Sequence, residues 1–279
     1  MFYQVHVPES QRSVLRYLWW ENNNLDNNLQ DYKMGVHVFG ATSSPGCCNF
    51  ALRKTAIDNE SQYEPEVIKT LLNNFYVDDL LKSVDTEESA IQLIKDVKEI
   101  CKIGGFNLTK FTSNNKAVLQ SIPESDRKNT VKDADIKGNL PMERALGIYW
   151  DTEIDVFKFK IDLKKKPMTR RGMLSIISSI YDPLGFVAPY TLEGKRLLQK
   201  LCQDSIGWDT KVTGNIVQEW KIWCENLMKL ENCMIKRCYK PIGFGKVKEF
   251  WIHHFSDASE EGYGQVSFLR MKNHKGKIH

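Results

Sequence analysis

The sequence lacks any run of eighteen or more apolar residues, so no segment has the length and composition of a membrane-spanning helix. Its first residues, from Met1 to Val5, also lack the basic and apolar regions of a signal peptide. Net charge is low, because 39 Lys and Arg residues against 35 Asp and Glu residues give +4. This balance is too mild to indicate a polyanionic partner, which must be argued from local clusters. We expect an intracellular protein, cytoplasmic or nuclear, that is not secreted and has no membrane partner.

Zinc-site spacings are also missing from the sequence. The cysteine count is odd, at seven, and only Cys47 and Cys48 lie close together. No C-x-x-C pair or His/Cys combination has the spacing of a zinc site. We therefore expect free thiols in a reducing compartment.

At 279 residues the chain exceeds the usual size of one domain, which predicts two or three compact units. Strand and helix signals alternate over the first hundred or so residues. Strands are predicted at 1–7, 36–39 and 106–111, and helices at 44–57, begun by Ser44-Pro45, and at 85–103, where Asp85 and Glu88 resemble a capping box. This alternation predicts an α+β fold in which a sheet packs against helices.

The second half of the chain changes pattern three times. Residues 113–139 are polar and predict a surface connection, and two short strands at 145–151 and 156–161 predict a hairpin. Helical spacing then extends over 169–234, with Thr169 as a cap and a break at Asp182-Pro183-Leu184-Gly185. Two further strands, near 247–255 and 265–271, end the chain.

Adjacent carboxylates provide the first chemical signal. Residues 71–84 are two short apolar runs around Asp78-Asp79, which predicts a β-hairpin with a two-residue turn. Neighbouring carboxylates repel, and a divalent cation between them and a substrate would relieve that repulsion. The alternative is an exposed Asp-Asp turn of the kind found in many proteins, and the dipeptide alone favours it.

Four ordered motifs change that preference. The segment Phe75-Tyr76-Val77-Asp78-Asp79-Leu80-Leu81 resembles the Tyr-x-Asp-Asp signature of reverse transcriptases, and Phe39-Gly40-Ala41-Thr42-Ser43-Ser44-Pro45 precedes it at a suitable distance. Gly104 to Lys110 is similar to the next palm motif, and Leu146 to Trp150 is similar to the primer-grip hairpin. Together with Tyr181 to Gly185, these motifs are most similar in sequence to the Pol polyprotein of BEL/Pao LTR retrotransposons. The resemblance extends over nearly the whole chain.

The resemblance implies a particular fold. It is a reverse-transcriptase palm truncated at its N-terminus, followed by a helical thumb or connection and an incomplete ribonuclease H-like α/β domain. The implied divisions are a partial palm and fingers at 1–112, a linker with the primer-grip hairpin at 113–163, the thumb or connection at 164–240, and the opening hairpin of the ribonuclease H-like domain at 241–279.

The resemblance also implies roles for individual residues. Asp78 and Asp79 match the metal-binding pair, Lys110 a lysine proposed to protonate pyrophosphate, and Phe2 the aromatic residue that excludes ribonucleotides. Ordinary surface or strand roles are the alternatives for Lys110 and Phe2. The implied nucleotide or template side is Phe2, Phe39, Gly40, Ser44, Pro45 and Tyr76, and the implied primer grip is Leu146, Gly147, Tyr149 and Trp150.

The implied cofactor is Mg²⁺, as two ions, with Mn²⁺ as a possible substitute. The implied partners are an RNA or DNA template-primer, deoxynucleoside triphosphates and the remainder of the Pol polyprotein. A cytoplasmic virus-like particle is one implied location.

Two departures from the family pattern bear on activity. Phe39 stands where many relatives have glutamine, so nucleotide contacts there must differ. The family's first metal-binding aspartate precedes the residue matched by Phe2 by five positions, which places it upstream of Met1. We therefore expect this chain alone to be inactive or nearly so.

The densest basic patch is Lys164-Lys165-Lys166 with Arg170-Arg171, at the start of the helical segment. Contact with a nucleic-acid backbone and a solvated helix face are equally compatible with this charge pattern. We expect Trp208, Trp220 and Trp223 to lie in the core rather than to stack on bases.

The chain's last strands resemble the opening of a ribonuclease H domain. In Phe255-Ser256-Asp257-Ala258-Ser259, Asp257 matches a metal-binding aspartate, although the other carboxylates of such a site do not follow in this sequence.

Two alternative functions remain. The stretch from about Leu140 also resembles what is catalogued as the Pao retrotransposon peptidase family, but the segments at Asp151, Asp209 and Asp257 lack the glycine of an aspartic-peptidase Asp-Thr/Ser-Gly turn. The other alternative is a non-catalytic nucleic-acid-binding remnant.

Overall fold

The structure, a computed structural model, describes residues 1–130 and 140–279. Contacts between Cα atoms divide the chain into two compact units, Met1–Gly138 and Asn139–His279. The fold is mixed α+β, as the sequence predicts. The finer division into palm, thumb and ribonuclease H-like parts stays a prediction.

Three helices form the core of the first unit: α1 (Ser44–Asp58), α2 (Pro65–Asn73) and α3 (Glu87–Ile103). Prolines in the first turns of α1 and α2 suit helix starts, because those positions need no amide donor. The N-cap of α3 is Thr86, which accepts a hydrogen bond from the Ser89 amide, and not Asp85. The apolar faces of the helices enclose one buried cluster: Leu52, Ala56, Val67, Ile68, Leu71, Val97, Ile100, Cys101 and Phe106.

The first unit contains one predicted and one unpredicted hairpin. The hairpin predicted within 71–84 is confirmed as the short strands β3 (Phe75–Tyr76) and β4 (Asp79–Leu80). Antiparallel strands β1 (Arg16–Trp20) and β2 (Leu29–Lys33), on either side of the asparagine-rich residues 21–28, were not predicted.

The three predicted strands at 1–7, 36–39 and 106–111 were wrong. Phe2–Gln4 is a 3-10 helix, and His6 and Val36 form only an isolated bridge. Phe2 and Val7 are buried, so the apolar pattern of this segment reflects packing rather than sheet pairing. Lys110 has a φ of 62°, which is incompatible with continuous strand and leaves Phe111 a single bridge to Arg127.

Part of the predicted surface connection is a helix. The Asn115 side chain accepts a hydrogen bond from the Val118 amide and caps α4 (Lys116–Ser121). Val118 and Leu119 are buried, so the prediction of a surface connection was wrong for these residues. The remainder of that prediction, at 131–139, lies outside the described residues.

A four-stranded antiparallel sheet begins the second unit. Its strands lie in the order β5 (Met142–Ala145), β6 (Ile148–Asp151), β7 (Val156–Lys158) and β8 (Met234–Lys236). The predicted hairpin is confirmed as β6 and β7, but both strands are shorter than predicted. Ala145 belongs to β5, Leu146 and Gly147 form a turn, and β7 ends at Lys158. Strands β5 and β8 were not predicted.

Three helices follow, namely α5 (Arg170–Ile177), α6 (Ala188–Gln203) and α7 (Asn215–Leu227). The Thr169 side chain caps α5 by accepting from the Gly172 amide, as predicted. Asp182 accepts hydrogen bonds from the Phe186 and Val187 amides at 2.9 and 2.8 Å, and this turn separates α5 from α6 at the predicted break. Buried Trp220, Trp223 and Leu227 anchor α7 in the helical core.

The final strands are confirmed and are longer than predicted. Strands β9 (Val247–Ser259) and β10 (Gly262–Asn273) pair antiparallel, and most of their side chains are exposed. The base of this hairpin is fixed by Asn273, whose side-chain amide donates to the Phe244 carbonyl at 2.6 Å.

All seven cysteines are free thiols, as expected. Burial raises the pKa of the Cys101 thiol to about 12. In the described ranges 1–130 and 140–279, no helix combines the length and the apolar character needed to cross a membrane.

Candidate functional site

The Tyr76-Val77-Asp78-Asp79 segment forms the tip of hairpin β3–β4. Tyr76 pairs with Asp79, so the turn residues are Val77 and Asp78 rather than the predicted Asp78-Asp79. Val77 has a φ of 57°, an unfavourable conformation for a β-branched residue, and it lets the chain reverse within two residues.

The hairpin is anchored at its base. Phe75 and Leu80 pack against the helical core of the first unit. Asn74 and Leu81 extend the pairing, because the Leu81 amide donates to the Asn74 carbonyl and the Asn74 side chain donates to the Leu81 carbonyl, both at 3.0 Å. A fixed base beneath an open tip holds Asp78 and Asp79 in place without covering them.

Both carboxylates are exposed. Within the described residues, no lysine or arginine forms an ion pair with either of them. Neither belongs to a group of three or more His, Cys, Asp or Glu residues that could hold a metal, since the described part of the chain has no such group. The hairpin therefore offers two uncompensated carboxylates and leaves any other ligand positions to water or substrate.

The residues predicted on the nucleotide side form two local groups in the first unit. Phe2 is buried and its ring meets that of Phe39 edge-on, with centroids 4.7 Å apart. Gly40 has a φ of 88° and begins the turn into α1, where Pro45 occupies the first turn. The buried Ser44 hydroxyl lies 3.4 Å from the His37 Nδ1.

Among the described residues, the Lys110 side chain has no hydrogen bond or ion pair with these two groups. Its side chain is exposed, and its left-handed backbone directs the chain into the Phe111 bridge. No contact of the Lys110 side chain with the carboxylate hairpin is evident within the described residues, so its catalytic role stays a prediction.

The predicted primer-grip residues lie on the β5–β6 hairpin of the second unit. Leu146 and Gly147 form its turn, with φ values of 47° and 87°. Tyr149 pairs with Arg144 on one side and with Lys158 on the other, which places these three residues on one face of the sheet. Trp150 is on the opposite face, where its indole donates to Asp155 at 2.9 Å.

A cleft of about 440 Å³ opens on the Tyr149 face of the sheet. Its walls come from β5 to β7, the segment after β7, and α5 with the turn that follows it. The lining includes five cations and two tyrosines: Arg144, Lys158, Lys160, Lys164, Lys166, Tyr149 and Tyr181. We call this site the basic cleft.

The charges of the basic cleft are not all equally available. Lys158 pairs with Asp151 at 2.7 Å. Burial tends to raise the pKa of Asp151, but hydrogen bonds from Lys158 and from backbone amides outweigh it and keep that pKa low. Lys160, Lys164 and Lys166 are exposed and have no ion-pair partner among the described residues. Asp162 is the one acidic residue in the lining of the cleft as described.

The other members of the predicted basic patch have internal contacts. Arg170 lies over the Trp208 ring at 4.4 Å and donates to the Ile206 carbonyl. Arg171 forms two hydrogen bonds with Asp209, which raise its own pKa and lower that of Asp209. Lys165 is exposed and does not line the cleft. Trp208 is 45% exposed, so the prediction that Trp208 lies in the core was wrong.

Asp257 lies on hairpin β9–β10, opposite Gly264. It is exposed, and its carboxylate accepts a hydrogen bond from the Ala258 amide at 3.0 Å. A shallow depression on this surface includes Asp257 and Tyr263. The structure thus brings the cleft residues together and leaves Asp257 without a second carboxylate in that depression.

Sequence reasoning missed four cleft residues, namely Arg144, Lys158, Lys160 and Tyr181. The alternation of Phe157 and Phe159 with Lys158 and Lys160 was visible, and it could have placed both lysines on one strand face. Tyr181 carried no such signal, because its position depends on the long-range packing of the turn after α5.

Comparison with known proteins gives one family. Residues 169–279 match the model of the Pao retrotransposon-like RNaseH-like domain. The matched segment begins at the cap of α5, so it includes the helical region as well as hairpin β9–β10. No curated protein matches the chain.

Proposed function

We propose that the chain is a segment of a retroelement RNA-directed DNA polymerase, a proposal supported by the match of residues 169–279 to the model of the Pao retrotransposon-like RNaseH-like domain. Its substrates would be a template-primer and deoxynucleoside triphosphates, and the rest of the Pol polyprotein would be its partner. The observation that carries the proposal is the anchored hairpin β3–β4, which presents the uncompensated carboxylates of Asp78 and Asp79 at an exposed tip.

The donor set fits Mg²⁺. This ion prefers oxygen ligands and commonly takes one or two carboxylates, with water and substrate phosphates completing its shell. Asp78 and Asp79 would hold it. When bound, the ion would activate a primer 3′-hydroxyl for in-line attack on the α-phosphate and neutralise the charge on the departing pyrophosphate.

The protein's own contribution at this hairpin is positioning. Pairing of Tyr76 with Asp79 and packing of Phe75 and Leu80 fix the backbone beneath the carboxylates. Phe39 packs on the buried Phe2 and is itself 65% exposed, so its ring would face a nucleotide on the side to which the family resemblance assigns both residues.

The basic cleft supports the nucleic-acid part of the proposal. Lys160, Lys164 and Lys166, which have no ion-pair partner in the described part of the chain, provide charge for phosphates, and Tyr149 and Tyr181 provide rings on which bases can stack. A cavity of about 440 Å³ is within the size range of small-ligand sites. Lys164 and Lys166 would act as predicted from sequence, with Lys160 added.

Because we expect this chain alone to be inactive or nearly so, primer extension on an RNA template with Mg²⁺ is measured with a Pol polyprotein that contains this segment, and it tests the polymerase proposal. We expect D78N or D79N to reduce extension about 100-fold or more, because a lost metal ligand removes several kcal/mol of transition-state stabilisation. D26N is the matched control, since Asp26 is an exposed loop carboxylate of the same unit. Extension that is insensitive to D78N and D79N would contradict the proposal.

The second candidate function is non-catalytic nucleic-acid binding. The observation that favours it is the basic cleft, which needs no metal, combined with the lack of a three-carboxylate cluster among the described residues. Salt-sensitive binding of the template-primer, with no extension even by the Pol polyprotein that contains this segment, would support this candidate. The peptidase alternative gains no support, because the matched family is described as RNaseH-like.

A further inference from the structure

The turn between β5 and β6 combines an unfavourable backbone with a specific support. Leu146 has a φ of 47°, which branched side chains rarely adopt, and Gly147 follows with a φ of 87°. Such a turn persists when surrounding contacts hold it. The contacts here include one residue that is distant in sequence, Tyr181.

Tyr181 contacts both residues of the turn. Its hydroxyl donates to the Leu146 carbonyl at 2.9 Å. Its ring fills the space beside Gly147, where an added Cβ would lie 2.6 Å from the ring. The turn therefore has both a hydrogen bond and a packing surface from the same side chain.

Tyr181 is itself held in place. It precedes Asp182, whose carboxylate accepts the Phe186 and Val187 amides. Tyr181 also lines the basic cleft, as do Gly147 and Tyr149. The turn lies two residues before Tyr149, so a change in its conformation would move one wall of the cleft.

We propose that Tyr181 is a positioning residue, which holds the Leu146–Gly147 turn so that Arg144 and Tyr149 face a nucleic-acid strand in the basic cleft. This inference rests on the proposed binding of nucleic acid. Tyr181 would thereby connect the turn after α5 to the β5–β6 hairpin. Its hydroxyl would act by holding the backbone in position and not by adding charge to the cleft.

The test uses the full chain with Y181F, which removes only the hydroxyl, and Y239F as the control. Tyr239 is 61% exposed in the same unit and does not line the cleft. Two quantities are measured: affinity for a labelled template-primer as a function of salt, and backbone hydrogen exchange over residues 142–150 without nucleic acid.

For Y181F we expect affinity to fall about threefold to tenfold, as for one lost hydrogen bond, with an unchanged salt dependence because no cation is removed. Exchange at the turn should become faster, and Y239F should change neither quantity. G147A should reproduce the faster exchange, since its Cβ would displace the ring.

The outcomes separate this inference from the proposed function. Affinity within twofold of wild type, or unchanged exchange at the turn, would overturn the positioning role. If the wild-type chain bound no nucleic acid at all, the proposed function would fail instead, while exchange would still report whether Tyr181 holds the turn. A Y181F variant with both lower affinity and a smaller salt dependence would also overturn the inference. That result would show that the substitution had moved the cleft lysines away from the phosphates.

Discussion

The triple variant K160Q/K164Q/K166Q is expected to bind a template-primer about 100-fold more weakly than wild type at low salt. These lysines line the basic cleft and have no ion-pair partner among the described residues, so their charges are available to phosphates. Each lysine that neutralises a phosphate releases a counterion, so the slope of log affinity against log salt should fall by about 2 to 3. Fluorescence anisotropy over a range of salt concentrations measures both quantities.

A matched variant separates the cleft from net charge. K195Q/K221Q/K229Q removes the same three charges from exposed positions of the second unit that lie outside both the cleft lining and the predicted basic patch. Equal losses of affinity in the two triple variants would show that the cleft is not the binding site.

The variant W223A is expected to destabilise the helical part of the second unit by about 3 to 5 kcal/mol. Trp223 is 4% exposed, stacks on Trp220 with centroids 4.8 Å apart, and lies against Gly194. Its indole donates to the Tyr190 carbonyl at 3.1 Å, while the Tyr190 hydroxyl donates back to the Trp223 carbonyl at 3.1 Å. Truncation would leave a cavity and remove one donor of this reciprocal pair.

Urea unfolding, with hydrogen exchange over α5 to α7, measures this loss. I222A on the same helix is the control, because Ile222 is 48% exposed and its truncation should change stability by about 0.5 kcal/mol or less. Similar unfolding midpoints for W223A and I222A would contradict the assignment of Trp223 to the core. A selective loss in W223A would support it.

Local signals in the sequence predicted α1, α3 and α5. The proline at the start of α1 and the Thr169 cap of α5 act within a few residues of the helix that they begin. Helices α2 and α4 were not predicted. The three strands predicted at 1–7, 36–39 and 106–111 were wrong for the opposite reason. A brief apolar run is compatible with a strand or with a coil packed on helices, and only tertiary contacts decide between them.

The candidate site shows the same division between local and distant information. Hairpin β3–β4 was predicted within one residue of its turn, because its alternation and its carboxylates are contiguous. The basic cleft was only partly predicted, through Gly147, Tyr149, Lys164 and Lys166. Its other cations come from β5, from β7 and from the segment after β7, and Tyr181 comes from the turn after α5, so their meeting depends on strand register and long-range packing.

Cleavage of the protein by bound iron tests the central claim, that Asp78 and Asp79 hold a divalent cation, most directly. Fe²⁺ can replace Mg²⁺ at an oxygen-ligand site, and with ascorbate and peroxide it cuts the nearby backbone. In the presence of template-primer and a deoxynucleoside triphosphate, we predict cleavage at hairpin β3–β4 in the wild-type chain and in D26N, and its loss in D78N/D79N. Cleavage that is absent from the hairpin, or that persists undiminished in D78N/D79N, would contradict the claim.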